Sequence, residues 1–411
     1  MISPTRPEPT RRRGGLVLPI LFLGTFTMGS AEFLVVGVLN LIAQETAVTI
    51  STAGTLVTAY ALGLAIGGPV LTAVTFKFGR RLVLQLATVV YVAATALIAV
   101  TTDFTLLVLA RALTGAAQGL FVAVAITIGI GVVAPERMGR AISIVVGGFA
   151  VATAFGVPLG TLVGQSVGWR GGFVGIGVIG ALVLVASLLF VPRVEAAGAF
   201  GFRSQVRHAL HPRVLAVLGF AVLLFAGQFT VLTYVEPYLG DTTGISGGLV
   251  SAFLLAFGVT NALGTFLGGR FADLNATATM VVCGVVLAVV FGALTLVGSM
   301  PVPTALLMGA WGLAGFSAVP SVQYRVAALA GPGGNLAASL PASALNAGIA
   351  VGALVGGWTV AGSGLNAITV VGLVICAVAV PVAWATGLLK PSSEAPGTAA
   401  SPDDAVTPPL R

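Results

Sequence analysis

Glu32 lies in the run Leu16–Leu39, which is otherwise apolar, small or weakly polar and long enough to cross a bilayer. An ionised carboxylate in hydrocarbon costs about 2.5–3.5 kcal/mol on insertion scales unless it is protonated, paired or facing a water-filled cavity. Such an acid needs a proton, a partner or a task. Arg111 is a second charge deep in an apolar stretch. If the first helix enters from the basic side near Leu16, a rise of about 1.5 Å per residue puts Glu32 roughly 24 Å along it. The fourth helix runs the other way from Asp103, so Arg111 falls about 12 Å below the far surface. The two charges are expected at comparable depth in one interior. Burial there favours the neutral acid and the guanidinium favours the carboxylate. Opposed effects of this kind let a carboxyl group load and release a proton near neutrality. The alternative use of the same two residues is a static buried ion pair that fixes helix packing.

The elements that must position these charges are membrane helices. The 411 residues are 57% hydrophobic and 8% charged, with a mean hydropathy of +1.08, whereas soluble domains carry about 25% charged residues. A span needs about 20 apolar residues. Turn and charge punctuation gives twelve: 16–41, 52–75, 82–101, 104–130, 140–165, 171–192, 213–239, 247–270, 278–299, 302–328, 337–362 and 365–388. The fold class is therefore an all-α polytopic membrane protein of twelve transmembrane helices in two six-helix bundles. The expected division is a cytoplasmic tail at 1–15, a bundle at 16–192, a cytoplasmic linker at 193–212, a second bundle at 213–388 and a disordered tail at 389–411. The first apolar stretch is too long for a signal peptide and is expected to remain as a helix.

Basic residues fix the orientation. The N-terminal arginines, Lys77, Arg80, Arg81, Arg137, Arg140, Arg193, Arg203, Arg207, Arg213, Arg270 and Lys390 fall on one side. Arg170 stands alone on the other, beside Glu45, Asp103 and Asp241. The positive-inside rule then makes both termini cytoplasmic in a multi-pass cell-membrane protein. The net charge of +7 is explained by these links and by contact with anionic lipid, without a nucleic-acid partner. Cys283 and Cys376 sit in separate apolar runs and read as packing residues; His208 and His211 lack companions at metal-ligand spacing. No metal, cofactor, nucleophile–base pair or phosphate loop is expected. Gly331-Pro-Gly-Gly334 follows an apolar span rather than a strand. An enzyme or an ATP-driven pump is thereby disfavoured.

The fifth span reads Gly148-Phe-Ala-Val-Ala-Thr-Ala-Phe-Gly156-Val-Pro158-Leu-Gly160-Thr161-Leu-Val-Gly164-Gln165. Small residues four apart permit close helix approach, and Pro158 removes a backbone hydrogen bond and favours a bend. This segment resembles the antiporter motif of the major facilitator superfamily, in the drug:proton antiporter branch of chloramphenicol-resistance and sugar-efflux transporters. Met28-Gly29-Ser30-Ala31-Glu32-Phe33 resembles that branch's first-helix acidic motif, with Asn40 where relatives often have proline. Ala110-Arg111-Ala112-Leu113-Thr114-Gly115-Ala116-Ala117-Gln118-Gly119 resembles its fourth-helix arginine motif. Lys77-Phe78-Gly79-Arg80-Arg81 is similar to the basic end of the gating loop after the second helix, although the usual glycine and aspartate fall on Thr72 and Phe76. Gly269-Arg270-Phe271-Ala272-Asp273 is the second-half counterpart, without the following arginine.

The resemblance implies the major facilitator fold, proton coupling through Glu32 and Arg111, gating through Lys77, Gly79, Arg80, Arg81, Arg270 and Asp273, and structural roles for the fifth-span glycines and Pro158. It implies a proton-coupled exporter of a small amphipathic molecule, a drug or an antibiotic such as chloramphenicol, working by alternating access as a monomer. Efflux of a sugar or nucleoside, and proton-coupled import, are the alternatives. Phe33, Tyr60, Gln118, Phe121, Gln228, Tyr234, Asn261 and Asn346 are candidates for the substrate cavity, each also explicable as inter-helix packing or hydrogen bonding. Glu236 near the outer end of the seventh span reads as a headgroup-level acid, with a second protonation site as the alternative, and Arg325 reads as a cation snorkelling to the interface.

Overall fold

In a computed structural model the described residues are 11–75, 77–134, 137–192, 211–330 and 340–389. They form helices α1 (Arg11–Gly37), α2 (Leu39–Glu45), α3 (Ile50–Leu62), α4 (Gly68–Val74), α5 (Arg80–Val100), α6 (Phe104–Gly131), α7 (Met138–Val151), α8 (Val157–Val167) and α9 (Trp169–Phe190) in the first half. The second half contributes α10 (Pro212–Leu232), α11 (Val235–Asp241), α12 (Gly248–Val297), α13 (Pro301–Ala330), α14 (Leu340–Ser363) and α15 (Ala367–Gly387). No strand occurs among the described residues. Most of the 193–212 linker, the tail beyond 389 and the first ten residues lie outside the described residues, as do Phe76 and Gly331–Gly334.

Among the described residues, eleven helices are long and apolar enough to cross a membrane. One of them, α12, has 50 residues and would extend about 75 Å if straight, more than twice the hydrocarbon thickness of about 30 Å. It is broken at Asn275 (φ −161°, ψ 93°), whose side chain caps the next turn by accepting from the Ala278 N–H (2.9 Å). Each arm then makes its own crossing. The sequence places this boundary at a polar link, 271–277, and the chain keeps helical geometry through that link up to the one residue that can cap its own break. Elsewhere too the sequence chooses the ends. Asp103 accepts from the Leu106 N–H (3.0 Å) at the start of α6, Thr49 does the same for Thr52 ahead of α3 (3.1 Å), and Gly168 (φ 90°) turns α8 sharply into α9.

The first crossing is not the continuous helix expected over 16–41. It stops at Gly37, passes through Val38 (φ −133°, ψ 21°), and resumes as α2. Two other crossings contain single π-helical turns, Gly63–Gly67 between α3 and α4 and Ala152–Gly156 between α7 and α8. The second lies just before Pro158, which cannot donate to the preceding turn, so the extra residue absorbs the missing hydrogen bond.

Within the first bundle α1 packs along α7, α8 and α9; within the second, α10 packs along α14 and α15, and α12 along α13. The bundles meet where α3 lies against α14 and where the π turn and α8 lie against α12. Large apolar side chains cover the outward faces, among them Leu182, Phe266, Val289 and Leu306. An exposed apolar surface of this extent on α-helices fits a lipid solvent, in which each span meets its own backbone hydrogen bonds.

Candidate functional site

The fifth-span glycines set the distance between α1 and its neighbour. A side chain placed on Gly148 would collide with Thr25 and the Phe22 backbone, one on Gly156 with Ser30, one on Gly160 with Leu34 and one on Gly164 with Val38. Small residues on α1 reciprocate: Gly29 faces Phe149 and Gly37 faces Thr161. Thr25 donates across this contact to the Val145 carbonyl (2.5 Å). The result holds the backbone of α1 fixed around residues 25–38, the stretch that carries Glu32.

On the other side of α1 stand α3 and α6. Arg111 is 1% exposed and spends its guanidinium on backbone carbonyls: Nη1 donates to Ala31 (2.9 Å), Nη2 to Glu32 (3.1 Å) and Nε to Leu56 (3.3 Å). Its charged plane lies 4.2 Å from the centroid of the Tyr60 ring, a cation–π contact. The Glu32 carboxylate instead accepts from Gln118 Nε2 (2.7 Å), and Gln118 Oε1 accepts from the Tyr60 hydroxyl. The expected pairing thus takes another form. Glu32 and Arg111 do share one interior, but the arginine grips the backbone on which Glu32 is mounted, while an amide serves the carboxylate. Tyr91, which the sequence reading did not single out, joins the same interior by donating to the Thr27 carbonyl (3.3 Å).

Glu32 and Phe33 are half-buried, at the seam between bundles. Beside them is a cavity of about 20 Å³, room for about one water. Phe33, Val36, Thr153 and Val157 wall it from the first bundle, and Leu232, Leu254, Phe257, Asn261 and Phe316 from the second. Asn261 is 3% exposed and its Nδ2 has no partner. Of the substrate-cavity candidates, Phe33 and Asn261 line this space, and Tyr60 and Gln118 belong to the Glu32 network. Phe121 is buried against Gly24 of α1. Gln228 accepts from Trp311 Nε1 (3.2 Å) and donates to the Gly315 carbonyl (3.4 Å). Tyr234 donates to the Ala353 carbonyl (2.9 Å). Asn346 donates one turn back to Ala342 (3.0 Å). These four sit in packing contacts away from the cavity. The walls that were missed, Val36, Thr153, Val157, Leu232, Leu254, Phe257 and Phe316, carry no charged signal and only one hydroxyl; only the helical spacing of Leu254, Phe257 and Asn261 marks a common face.

The bundles are joined at the Arg-poor end. Glu236 accepts from the Asn40 N–H (3.0 Å) and from Asn40 Nδ2 (3.2 Å), so it is an inter-bundle contact, which its sequence position does not reveal. Ser51 donates to the Gly357 carbonyl (2.7 Å), Tyr234 reaches over Gly54 and Gly357, and Phe33 lies 6.0 Å from Phe229. On the same end Glu45 pairs with Arg170 and accepts from Trp169 Nε1, and Arg170 also donates to the Thr101 carbonyl (3.0 Å). The residues expected from the sequence to form gating loops occupy the opposite end. Gly79 precedes α5, which opens with Arg80 and Arg81, and Arg81 donates to the Leu188 carbonyl. Lys77 lies in the preceding turn, and Arg270 and Asp273 are exposed just before the Asn275 break. Arg325 donates to the carbonyls of Thr386 and Leu389, tying α13 to the end of α15. The two cysteines are buried and unbonded to each other.

Twelve crossings in two bundles, with a polar centre and an aromatic cavity at the seam, define a multi-pass α-helical membrane transporter. The chain belongs to the Major Facilitator Superfamily, whose family model matches residues 21–333. It is 32% identical over 342 residues to an uncharacterized transporter of that type, YtbD, from Bacillus subtilis, covering 82% of this chain and 86% of the relative. A chloramphenicol resistance protein of Streptomyces lividans is 32% identical, with 84% and 89% covered. The inner membrane transport protein YdhP of Escherichia coli is 30% identical, with 91% and 96% covered. Among solved structures, a bacterial homologue of the human lysosomal transporter Spinster, inward-facing and unoccupied, superposes with a TM-score of 0.77 at 16% identity, covering 92% of this chain and 98% of that one.

Proposed function

We propose that the protein is a proton-coupled exporter of a small amphipathic molecule, with chloramphenicol as the first compound to try, and that Glu32 carries the proton. The observation behind this reading is the placement of a half-buried carboxylate on a rigid segment of α1, next to an aromatic cavity and bonded to Gln118 (2.7 Å). The likeness to a chloramphenicol resistance protein supports export.

Gln118 suits both protonation states of such an acid. With Glu32 ionised, the amide N–H donates to it and the carbonyl accepts from Tyr60. With Glu32 protonated, a half-turn of the amide offers its oxygen to the acid and its N–H to the Tyr60 oxygen, so neither state leaves a buried polar atom unpaired. Arg111 keeps its carbonyl bonds throughout and supplies a fixed positive field that favours return to the carboxylate. The Arg-rich face is read as cytoplasmic, which makes the joined end the outer closure and the arrangement inward-facing. The 16–192 and 213–388 bundles then rock about the cavity, with Lys77–Arg81 and Arg270–Asp273 meeting on the cytoplasmic side when the outer side opens.

The test is accumulation of chloramphenicol and a panel of amphipathic compounds in cells expressing the protein, with and without an uncoupler. Export predicts lower intracellular levels that the uncoupler restores. Higher accumulation on expression without the uncoupler would contradict it.

A further inference from the structure

The bond between Asn40 and Glu236 does more than fill a gap. The N–H groups of a helix's first turn have no carbonyl within that helix to reach, and the break at Val38 puts Asn40 in the first turn of α2. Glu236, from the other bundle, accepts this N–H with one carboxylate oxygen and the Asn40 amide with the other. The remaining inter-bundle hydrogen bond described at this end, Ser51 to Gly357, is neutral. The Tyr234 hydroxyl that fills the space over Gly54 and Gly357 bonds to Ala353 within its own bundle.

We propose that Glu236 is a proton-sensitive strut: ionised, it holds the two bundles together at the Arg-poor end, and protonated, it lets them part. Hydrogen bonds to an ionised acceptor are roughly twice as strong as neutral ones. Protonation removes the charge and turns one of the two accepting oxygens into a hydroxyl donor. The bond from the Asn40 N–H is then weakened and the Asn40 amide keeps its partner only by turning its oxygen to the new hydroxyl, as Gln118 can for Glu32, so both bonds fall to neutral strength. The charged group that faces Glu236 from its own helix is Asp241, a like charge. From α2 it meets the neutral Asn40, and Glu45 at the far end of α2 is already paired with Arg170. The ion pair described at this end thus leaves Glu236 out, and its attachment to the first bundle depends on its own charge.

The consequence for the transport cycle rests on the alternating-access reading above. Acid on the outer side loosens the outer closure, which exposes Glu32 to the protons that drive the next step. Glu236 acts here as a positioning residue and does not itself touch the substrate.

The test places spin labels at Thr102 and Ser299, exposed residues at the Arg-poor ends of the two bundles. Cys283→Ala and Cys376→Ala remove the native thiols, and the inter-label distance is followed by pulsed EPR in lipid nanodiscs as pH falls from neutral to acidic. All measurements are made with Glu32→Gln present, so that Glu32 cannot supply the response. With Glu236 intact, acid shifts the population toward the long distance. With Glu236→Gln added, the long-distance population at neutral pH is already about tenfold larger, the effect expected when two charge-assisted bonds become neutral ones, and acid changes it no further. Asn40→Ala, which keeps the backbone N–H and loses the amide arm, gives a smaller shift and retains the acid response. An acid response that survives Glu236→Gln, or is absent with Glu236 intact, would overturn the strut. The transport assay with Glu32→Gln reports separately on the proton-carrier reading, so either idea can fail without the other.

Discussion

The interior of the first bundle holds a carboxylate, a guanidinium, an amide and two phenols, from Glu32, Arg111, Gln118, Tyr60 and Tyr91. The interior of the second holds neutral groups, Gln228, Trp311, Asn261 and Tyr234. Both networks satisfy helix carbonyls, but the first contains two charges that never touch each other. Arg111 spends its donors on the carbonyls of Ala31, Glu32 and Leu56; Gln228 and Trp311 close on one another and on Gly315. A carboxylate locked in an ion pair would be expensive to protonate, whereas one held by an amide can take either state with its partner intact. On the proposed reading, the interior of the first bundle accommodates a change of charge and the interior of the second stays neutral.

Five substitutions at four positions can break or sharpen this contrast. The largest effect is expected from Arg111→Leu, which removes three charge-assisted bonds to the helix carbonyls of Ala31, Glu32 and Leu56 and takes the cation from the Tyr60 ring. A loss of about 3 kcal/mol in the stability of the purified protein is expected, scaled from bonds to charged groups, together with loss of proton-driven transport. Arg111→Lys recovers little, because an ammonium cannot reproduce the planar fork. Thermal unfolding in detergent measures the first effect and vesicle transport the second. Gly156→Leu should follow, costing about 2 kcal/mol through overpacking against Ser30 and Phe26 and lowering transport by displacing the Glu32 segment. Gln228→Leu in the second bundle should cost about 1.5 kcal/mol for the lost bonds to Trp311 and Gly315, and the pH dependence of transport should keep its shape; an altered pH profile would erase the distinction between bundles. The smallest effect belongs to Gly219→Ala. A methyl group there meets open space, so a slight stabilisation of less than about 1 kcal/mol is expected from helix propensity.

Much of the fold was legible because the bilayer enforces it: spans must be helical, about 20 residues long and apolar, and each of these properties is written in the local sequence. Glu32 and Arg111 were legible for the same reason, being expensive where they stand. The break at Val38 was not, because no glycine or proline sits at that position. The form of the Glu32–Arg111 relation was hidden as well. Sequence gives the depth of two charges but not whether a guanidinium turns to a side chain or to the three carbonyls of neighbouring helices. The inter-bundle contact of Glu236 was hidden because its partner, Asn40, lies 196 residues away in the chain and is uncharged. The cavity walls Thr153, Val157, Leu254 and Phe257 look like any lipid-facing residues until the bundles are brought together.

The central claim is that Glu32 gives up a proton when the transported molecule binds. It is tested by adding a compound identified in the accumulation assay to purified protein in weakly buffered detergent and recording the pH. The wild-type protein should release protons in proportion to the compound bound, and Glu32→Gln, while still binding the compound, should release none. Equal proton release from both proteins would contradict the account.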